Sequence, residues 1–208
     1  MRIYFVRHGQ SEANVLHQIS NRGYMHGLTQ LGQQQAEDLA QKLLAEVSGK
    51  RKLARIYTSP LQRAVETAQI LSAHLGIPYE TTGALREFDC GVAEGGADAH
   101  SWGLWQWVWD EWHMHRRFES KIEDGESYLD LVARFRPFVE GLYSSPEDLI
   151  LIGHGGLFIS MLPGLLVNHN LREQIPGDLG IPNTGFILAE TCAKGLVCLE
   201  WCGVKILA

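Results

Sequence analysis

Three short segments carry residue types suited to phosphoryl chemistry. Arg7-His8-Gly9 closes an apolar run from Ile3 to Val6, Ser59-Pro60-Leu61-Gln62-Arg63 follows Arg55 to Thr58, and His154-Gly155-Gly156 follows Leu149 to Gly153. An imidazole can be a nucleophile or proton carrier near neutral pH, and a guanidinium is a planar fork that matches phosphate oxygens. Asn14 lies a short loop beyond His8. Arg63 falls in the first turn of a helix, where free amides and a positive dipole add to an anion site. Gly155 offers a bare backbone amide to the same anion. Taken singly, Arg63 reads as a solvated helix residue, His154 as a satisfied core histidine and Asn14 as a turn residue. Together they place two histidines and two arginines at three strand ends, where open α/β sheets form their ligand crevices.

The elements that must position these groups follow from hydrophobic periodicity. Thr29 reads as the N-cap of a helix with Leu31, Ala36, Leu39, Ala40, Leu43, Leu44 and Val47 on one face. Ser59 caps and Pro60 opens a second helix running to Leu75. A strand is expected from Pro78 to Thr81, and a helix from Ser127 to Leu142 that Pro137 should kink or interrupt. Leu149 to Gly153 reads as a buried strand followed by a helix from Leu157 to Leu166, and a hairpin closes the chain. Alternating strands and helices imply an α/β three-layer sandwich with a largely parallel central sheet and helices on both faces. Residues 1–208 read as one domain with an irregular, Trp-rich helical cap inserted at about 93–125.

Bulk composition narrows the partners. The chain has 208 residues, 45% hydrophobic and 20% charged, with a formal net charge of −6. An acidic chain argues against nucleic acid or an anionic membrane as partner, so any basic patch is local. No run approaches transmembrane length and no signal-peptide pattern precedes the first strand, which makes the cytoplasm the expected location. The four cysteines, at 90, 192, 198 and 202, form no Cys-x-x-Cys pair, so a structural zinc site is not expected. A turn at Ala193-Lys194-Gly195 sets Cys198 opposite Glu190 and Cys202 opposite Phe186, which leaves Cys192 unpaired and all four thiols reduced.

Five of the six tryptophans lie between 102 and 112. Trp102, Trp105, Trp109 and Trp112 share a helical stripe, with Trp107 off it. Such a stripe can pin a helix to the core. It can also cover the phosphate crevice, exclude water and favour a bulky or aromatic leaving group. Trp105 and Trp109 are the cap residues expected at the substrate. Arg116, beside His113, His115 and Arg117, is a potential second anion contact, and no metal set is read from these histidines.

The chain resembles the histidine phosphatase superfamily, which contains cofactor-dependent phosphoglycerate mutases and related phosphatases. The resemblance rests on Val6-Arg7-His8-Gly9-Gln10-Ser11-Glu12-Ala13-Asn14, Leu28-Thr29-Gln30-Leu31-Gly32, Thr58-Ser59-Pro60-Leu61-Gln62-Arg63-Ala64, Leu85-Arg86-Glu87-Phe88, Gly125-Glu126-Ser127 and Gly153-His154-Gly155-Gly156, in that order. It implies that His8 attacks phosphorus to give a phosphohistidine that water then hydrolyses. Arg7, Arg63, Asn14 and His154 would hold the equatorial oxygens. Glu87 would protonate the leaving oxygen and return as base, with Asp89 the nearest competitor. No metal or other cofactor is implied, since the arginines neutralise the phosphoryl charge. The chain departs from the family at Val92-Ala93-Glu94-Gly95, where an aromatic residue often precedes Glu-Gly, and at Glu123-Asp124-Gly125, where Pro-Gly-Gly is common.

The expected function is hydrolysis of a small-molecule phosphomonoester. A cofactor-dependent phosphoglycerate mutase is the first alternative. Phe88-Asp89-Cys90 stands where mutases of the family carry Arg-His-Tyr, which favours hydrolysis, while Arg116 and Arg117 keep the mutase open. A non-catalytic phospho-ligand binding or regulatory module is the alternative of another class. It would be expected to lack His8, Glu87 or His154, and all are present. Substrate identity and the choice between monomer and homodimer stay open.

Overall fold

The computed structural model describes residues 1–23, 25–47, 52–168, 174–175 and 180–206. Strand β1 (Arg2–Arg7) alternates its side chains between two cores, Ile3 and Phe5 on one face and Tyr4 and Val6 on the other. Strand β4 (Asp148–Gly153) divides Leu149 and Leu151 from Ile150 and Ile152 in the same way, and every residue of it is buried. Both strands are therefore covered on two sides, as a parallel sheet requires. With β2 (Leu53–Thr58), β3 (Tyr79–Thr81), β5 (Phe186–Cys192), β6 (Gly195–Trp201) and β7 (Val204–Lys205), they form a seven-stranded sheet. Its order is β3-β2-β4-β1-β5-β6-β7, parallel from β3 to β1 and antiparallel beyond.

Helix α1 (Glu12–Val15) is a single turn after the His8 loop. Helices α2 (Gln30–Val47) and α3 (Gln62–Leu75) cover the Tyr4 face, and α4 (Ala99–His113), α5 (Tyr128–Gly141) and α6 (Gly155–Met161) lie on the other. Thr29 Oγ1 caps α2 by accepting from Gly32 N at 3.0 Å. The buried stripe of α2 is Ala36, Leu39, Ala40 and Leu43; Leu31 and Leu44 are exposed. At 100° per residue Leu31 falls on the far side and Leu44 on the shoulder. Helix α3 starts at Gln62 rather than Pro60, because Leu61 keeps extended dihedrals as its N-cap.

Pro137 leaves α5 uninterrupted: Leu131, Phe135 and Val139 stay buried on one stripe across it. One missing amide hydrogen bond is outweighed by that packed face. The last helix is shorter than its apolar run suggests, turning into a 3₁₀ segment at Leu162–Gly164, where Pro163 ends the α-helical ladder. In the closing hairpin Cys198 pairs with Ala189, one residue away from the expected Glu190, and Cys192 with Gly195. An irregularity between Leu188 and Ala189 restores the expected offset further on, where Cys202 N donates to Phe186 O at 2.9 Å. All four cysteines are free.

Candidate active site

Sheet register levels the three strand ends. Val6 and Thr58 both pair with Ile152, so His8, Pro60 and His154 each stand two residues past one row of the sheet. His8 N donates to Gly153 O at 3.1 Å and Ser59 N to Ile152 O at 2.9 Å, which carries the ladder into the loops. Glycine is required where the His8 loop meets α2: a Cβ on Gly9 or on Gly32 would run into the other segment's backbone. Arg63, in the first turn of α3, points back over the same crevice and is 5% exposed.

The partners of His8 define its tautomer. Nδ1 lies 2.6 Å from Gly9 O, which can only accept, and Nε2 lies 3.1 Å from Arg63 Nε, which can only donate. The proton is thus on Nδ1 and the lone pair on Nε2. His154 has the opposite tautomer. Its Nδ1 faces Arg63 Nη2 at 3.4 Å, and its Nε2 donates to Ser59 Oγ at 2.8 Å. The two rings stand 5.1 Å apart, edge to face. Burial, then Arg63, depresses the pKa of both histidines well below 6.5, so both are neutral at physiological pH. Burial lowers Arg63 to about 10, which leaves it charged.

Arg7 Nη1 donates to Ile181 O at 2.6 Å, and its buried Nε finds no acceptor among the described residues. A buried guanidinium donor without a partner is costly unless a ligand satisfies it. Glu87 has both carboxylate oxygens engaged, Oε1 by Phe88 N at 3.0 Å and Oε2 by Gly156 N at 2.9 Å. A Cβ at position 156 would meet those oxygens at 2.9 Å, so the glycine lets α6 approach the acid. Burial raises the Glu87 pKa, against those two hydrogen bonds and the charges of Arg63 and Arg134.

A cavity of about 600 Å³ opens onto these groups; Arg7, His8, Asn14, Arg63, Glu87, His154 and Gly155 all line it, and so do Trp105 and Trp109. The seven residues read from the three segments and the Leu85–Phe88 segment thus share one space with both cap tryptophans. Trp112 instead is buried in the core, and Trp107 is 46% exposed. Arg116 is not brought to the cavity: α4 ends at His113, and Arg116 adopts φ 58° in the loop beyond. Its neighbour Arg117 pairs with Glu111 at 3.1 Å. Asp89 pairs with Arg22 at 2.7 Å and lies outside the lining. Among the described residues, no group of three or more His, Cys, Asp and Glu side chains could hold a metal.

Several supporting residues were not singled out from the sequence. Asn21 Oδ1 accepts from Arg63 Nη2 at 3.4 Å, while its Nδ2 donates to Phe88 O at 3.0 Å, tying the phosphate-side arginine to the acid's loop. Asn183 Nδ2 reaches His8 O at 3.1 Å and Asn14 Oδ1 at 3.3 Å. Thr67 Oγ1 accepts from Gly9 N at 3.1 Å. These are single polar residues in loops or on a helix, with no periodic signal to mark them. Glu126, from the Gly125-Glu126-Ser127 segment, accepts from Arg134 at 2.9 and 3.0 Å and from Asp89 N at 2.9 Å, bracing the acid's loop from behind.

A buried histidine whose Nε2 carries the lone pair, framed by two arginines and a second histidine at the carboxyl ends of a parallel sheet, is the arrangement of one known class. The chain belongs to the histidine phosphatase superfamily (branch 1), whose sequence profile matches residues 3–202. It is 33% identical over 164 residues to a candidate phosphoserine phosphatase of Hydrogenobacter thermophilus, covering 74% of this chain and 73% of that one. It is 31% identical over 170 residues to human 6-phosphofructo-2-kinase/fructose-2,6-bisphosphatase 1, which is 77% of this chain but only 31% of the relative. The chain therefore spans about a third of the length of such bifunctional relatives. A mycobacterial glucosyl-3-phosphoglycerate phosphatase solved with VO3 superposes with a TM-score of 0.72 at 25% identity, over 97% of this chain and 98% of that one. No helix among the described residues is long and apolar enough to cross a membrane.

Proposed function

We propose that the protein is a metal-independent phosphomonoester hydrolase that works through a phosphohistidine on His8. The observation that carries this reading is the tautomer of His8: its lone pair sits on Nε2, beside the fork of Arg63 and within the cavity. An arriving phosphoryl group takes over the donors of Arg63 and Arg7 and the face of His154, which frees Nε2 for in-line attack. Asn14 and the backbone at Gly155 complete the cradle for the equatorial oxygens. As the P–N bond forms and the P–O ester bond breaks, the proton of Glu87 goes to the leaving oxygen. The resulting carboxylate then takes a proton from water as water attacks phosphorus, and the P–N bond breaks to release phosphate and restore His8.

Residues 1–208 act in this reading as one domain, with 93–125 the cap that carries the tryptophans over the site. A small phosphorylated molecule fits the cavity, where Arg7 and Arg63 are a local island of positive charge in a chain of net charge −6. Hydrolysis is preferred to mutase chemistry because Arg116 and Arg117 lie away from the cavity, where a second phosphate would need cations.

The test is a panel of phosphomonoesters with phosphate release as readout, followed by acid-free quenching on labelled substrate. Label should be trapped on His8 as acid-labile, base-stable phosphate, and His8→Ala should abolish both turnover and trapping. Label on a serine or aspartate overturns the mechanism.

A further inference from the structure

Trp102, Trp105 and Trp109 give the cavity an aromatic wall. Trp105 and Trp109 stack at 5.0 Å and 12°, and Trp109 stacks in turn on His113 at 4.0 Å and 25°. Trp102 leans on Trp105 at 5.8 Å and 59°, and Phe88, the neighbour of the acid, lies 6.1 Å from Trp105. The ladder repeats at three- and four-residue steps along α4, so the rings are held by one another before any ligand arrives. Trp102 Nε1 donates to His17 O at 2.9 Å and Trp112 Nε1 to Ser120 O at 2.7 Å. Among the described residues, no acceptor is found for the indole N–H groups of Trp105 and Trp109. Among the described residues, the cationic side chains lining the cavity are Arg7 and Arg63 alone, both in the phosphate cradle.

We propose that this wall selects the leaving group: preferred substrates carry a single phosphate and an uncharged flat ring, aromatic or heteroaromatic, that packs against Trp105 and the rim of Trp109, whose two faces are taken by Trp105 and His113. A rigid aromatic wall loses little side-chain entropy on binding. Ring contacts contribute beyond the area they bury. A second phosphate would enter the same space with no counter-charge among the described residues. The inference rests on the phosphomonoesterase reading and names its substrate class.

The test separates the two claims. Ethyl, 2-cyclohexylethyl and 2-phenylethyl phosphate share a primary alkoxide leaving group, so differences in kcat/KM report binding of the remote group rather than proton donation. The phenylethyl ester should exceed the ethyl ester by about tenfold or more and exceed the cyclohexyl ester clearly. Trp105→Leu and Trp109→Leu should collapse the phenylethyl-to-ethyl ratio, whereas Trp107→Leu, on the exposed side of α4, should keep it. Trp105→Phe retains a ring and should hold an intermediate ratio, which serves if the leucine variants fail to fold. Butane-1,4-diyl bisphosphate should be no better a substrate than butyl phosphate. Equal constants across the series, an equal effect of Trp107→Leu, or a preference for the bisphosphate overturns the inference while leaving the hydrolase standing. If no ester turns over, the hydrolase reading fails; calorimetry with 2-phenylethylphosphonate against ethylphosphonate then decides the ring site alone, with equal affinities refuting it.

Discussion

Replacing Glu87 by Gln tests the proton donor, because the side chain keeps its size and shape but has no proton to give. Both carboxylate oxygens accept from backbone amides, Phe88 N and Gly156 N. The glutamine can satisfy one of them and must turn its NH₂ toward the other. That leaves one buried donor unpaired at a cost of about 1–3 kcal/mol. For a domain of this size, at about 2–4 °C per kcal/mol, Tm should fall by roughly 2–12 °C. The difference also depends on pH. Burial raises the Glu87 pKa above its ordinary 4.5, so the folded state holds the proton more tightly than the unfolded state. Wild-type stability from this group is then greatest at acid pH and declines as pH rises from about 4.5 through the folded-state pKa. The Tm gap between wild type and Glu87→Gln should accordingly be widest near pH 4.5 and narrow toward neutrality.

Catalysis carries the sharper signature. General-acid assistance is worth about 10²–10⁴-fold, and it is needed for an alkoxide far more than for p-nitrophenolate. At 25 °C, with the variant shown folded by circular dichroism, kcat for an alkyl phosphate should drop by about 10²–10⁴-fold, and kcat for p-nitrophenyl phosphate by less than about tenfold. Asp89→Asn should leave both unchanged, since Asp89 is paired with Arg22 outside the cavity. Equal losses on the two esters in Glu87→Gln would refute the reasoning, as would a leaving-group effect that appears in Asp89→Asn instead.

Two further outcomes test the cradle. Hydrolysis should survive exhaustive chelation, because Arg7 and Arg63 neutralise the phosphoryl oxygens; activity lost with chelator and restored by magnesium or zinc would refute this. Asn21→Leu removes the acceptor that orients Arg63, so the inhibition constant for inorganic phosphate should weaken by about tenfold, as for one lost hydrogen bond to a charged group. An unchanged constant would reduce Asn21 to a lining residue.

Much of this site is legible in the chain itself. Short apolar runs that stop at Arg7-His8-Gly9, Thr58-Ser59-Pro60 and Gly153-His154-Gly155 announce strand ends, since a buried strand must be apolar and a ligand crevice must not be. Thr29 and the alternation of strands with helices are read equally well, because caps and periodicity are local chemistry.

Nonlocal contacts decided the rest. Nothing in the chain says that β4 lies between β2 and β1, yet only that order and the shared pairing of Val6 and Thr58 with Ile152 bring His8 and His154 ring to ring. The tautomer of His8 depends on Arg63, 55 residues away. Asn21, Asn183 and Thr67 matter through single hydrogen bonds, which leave no sequence pattern. The tryptophan stripe was visible from its spacing, but the sequence could not divide it into core and cavity. Packing did that, burying Trp112 against Phe88 while Trp105 and Trp109, on the same stripe, keep part of their surface in the cavity.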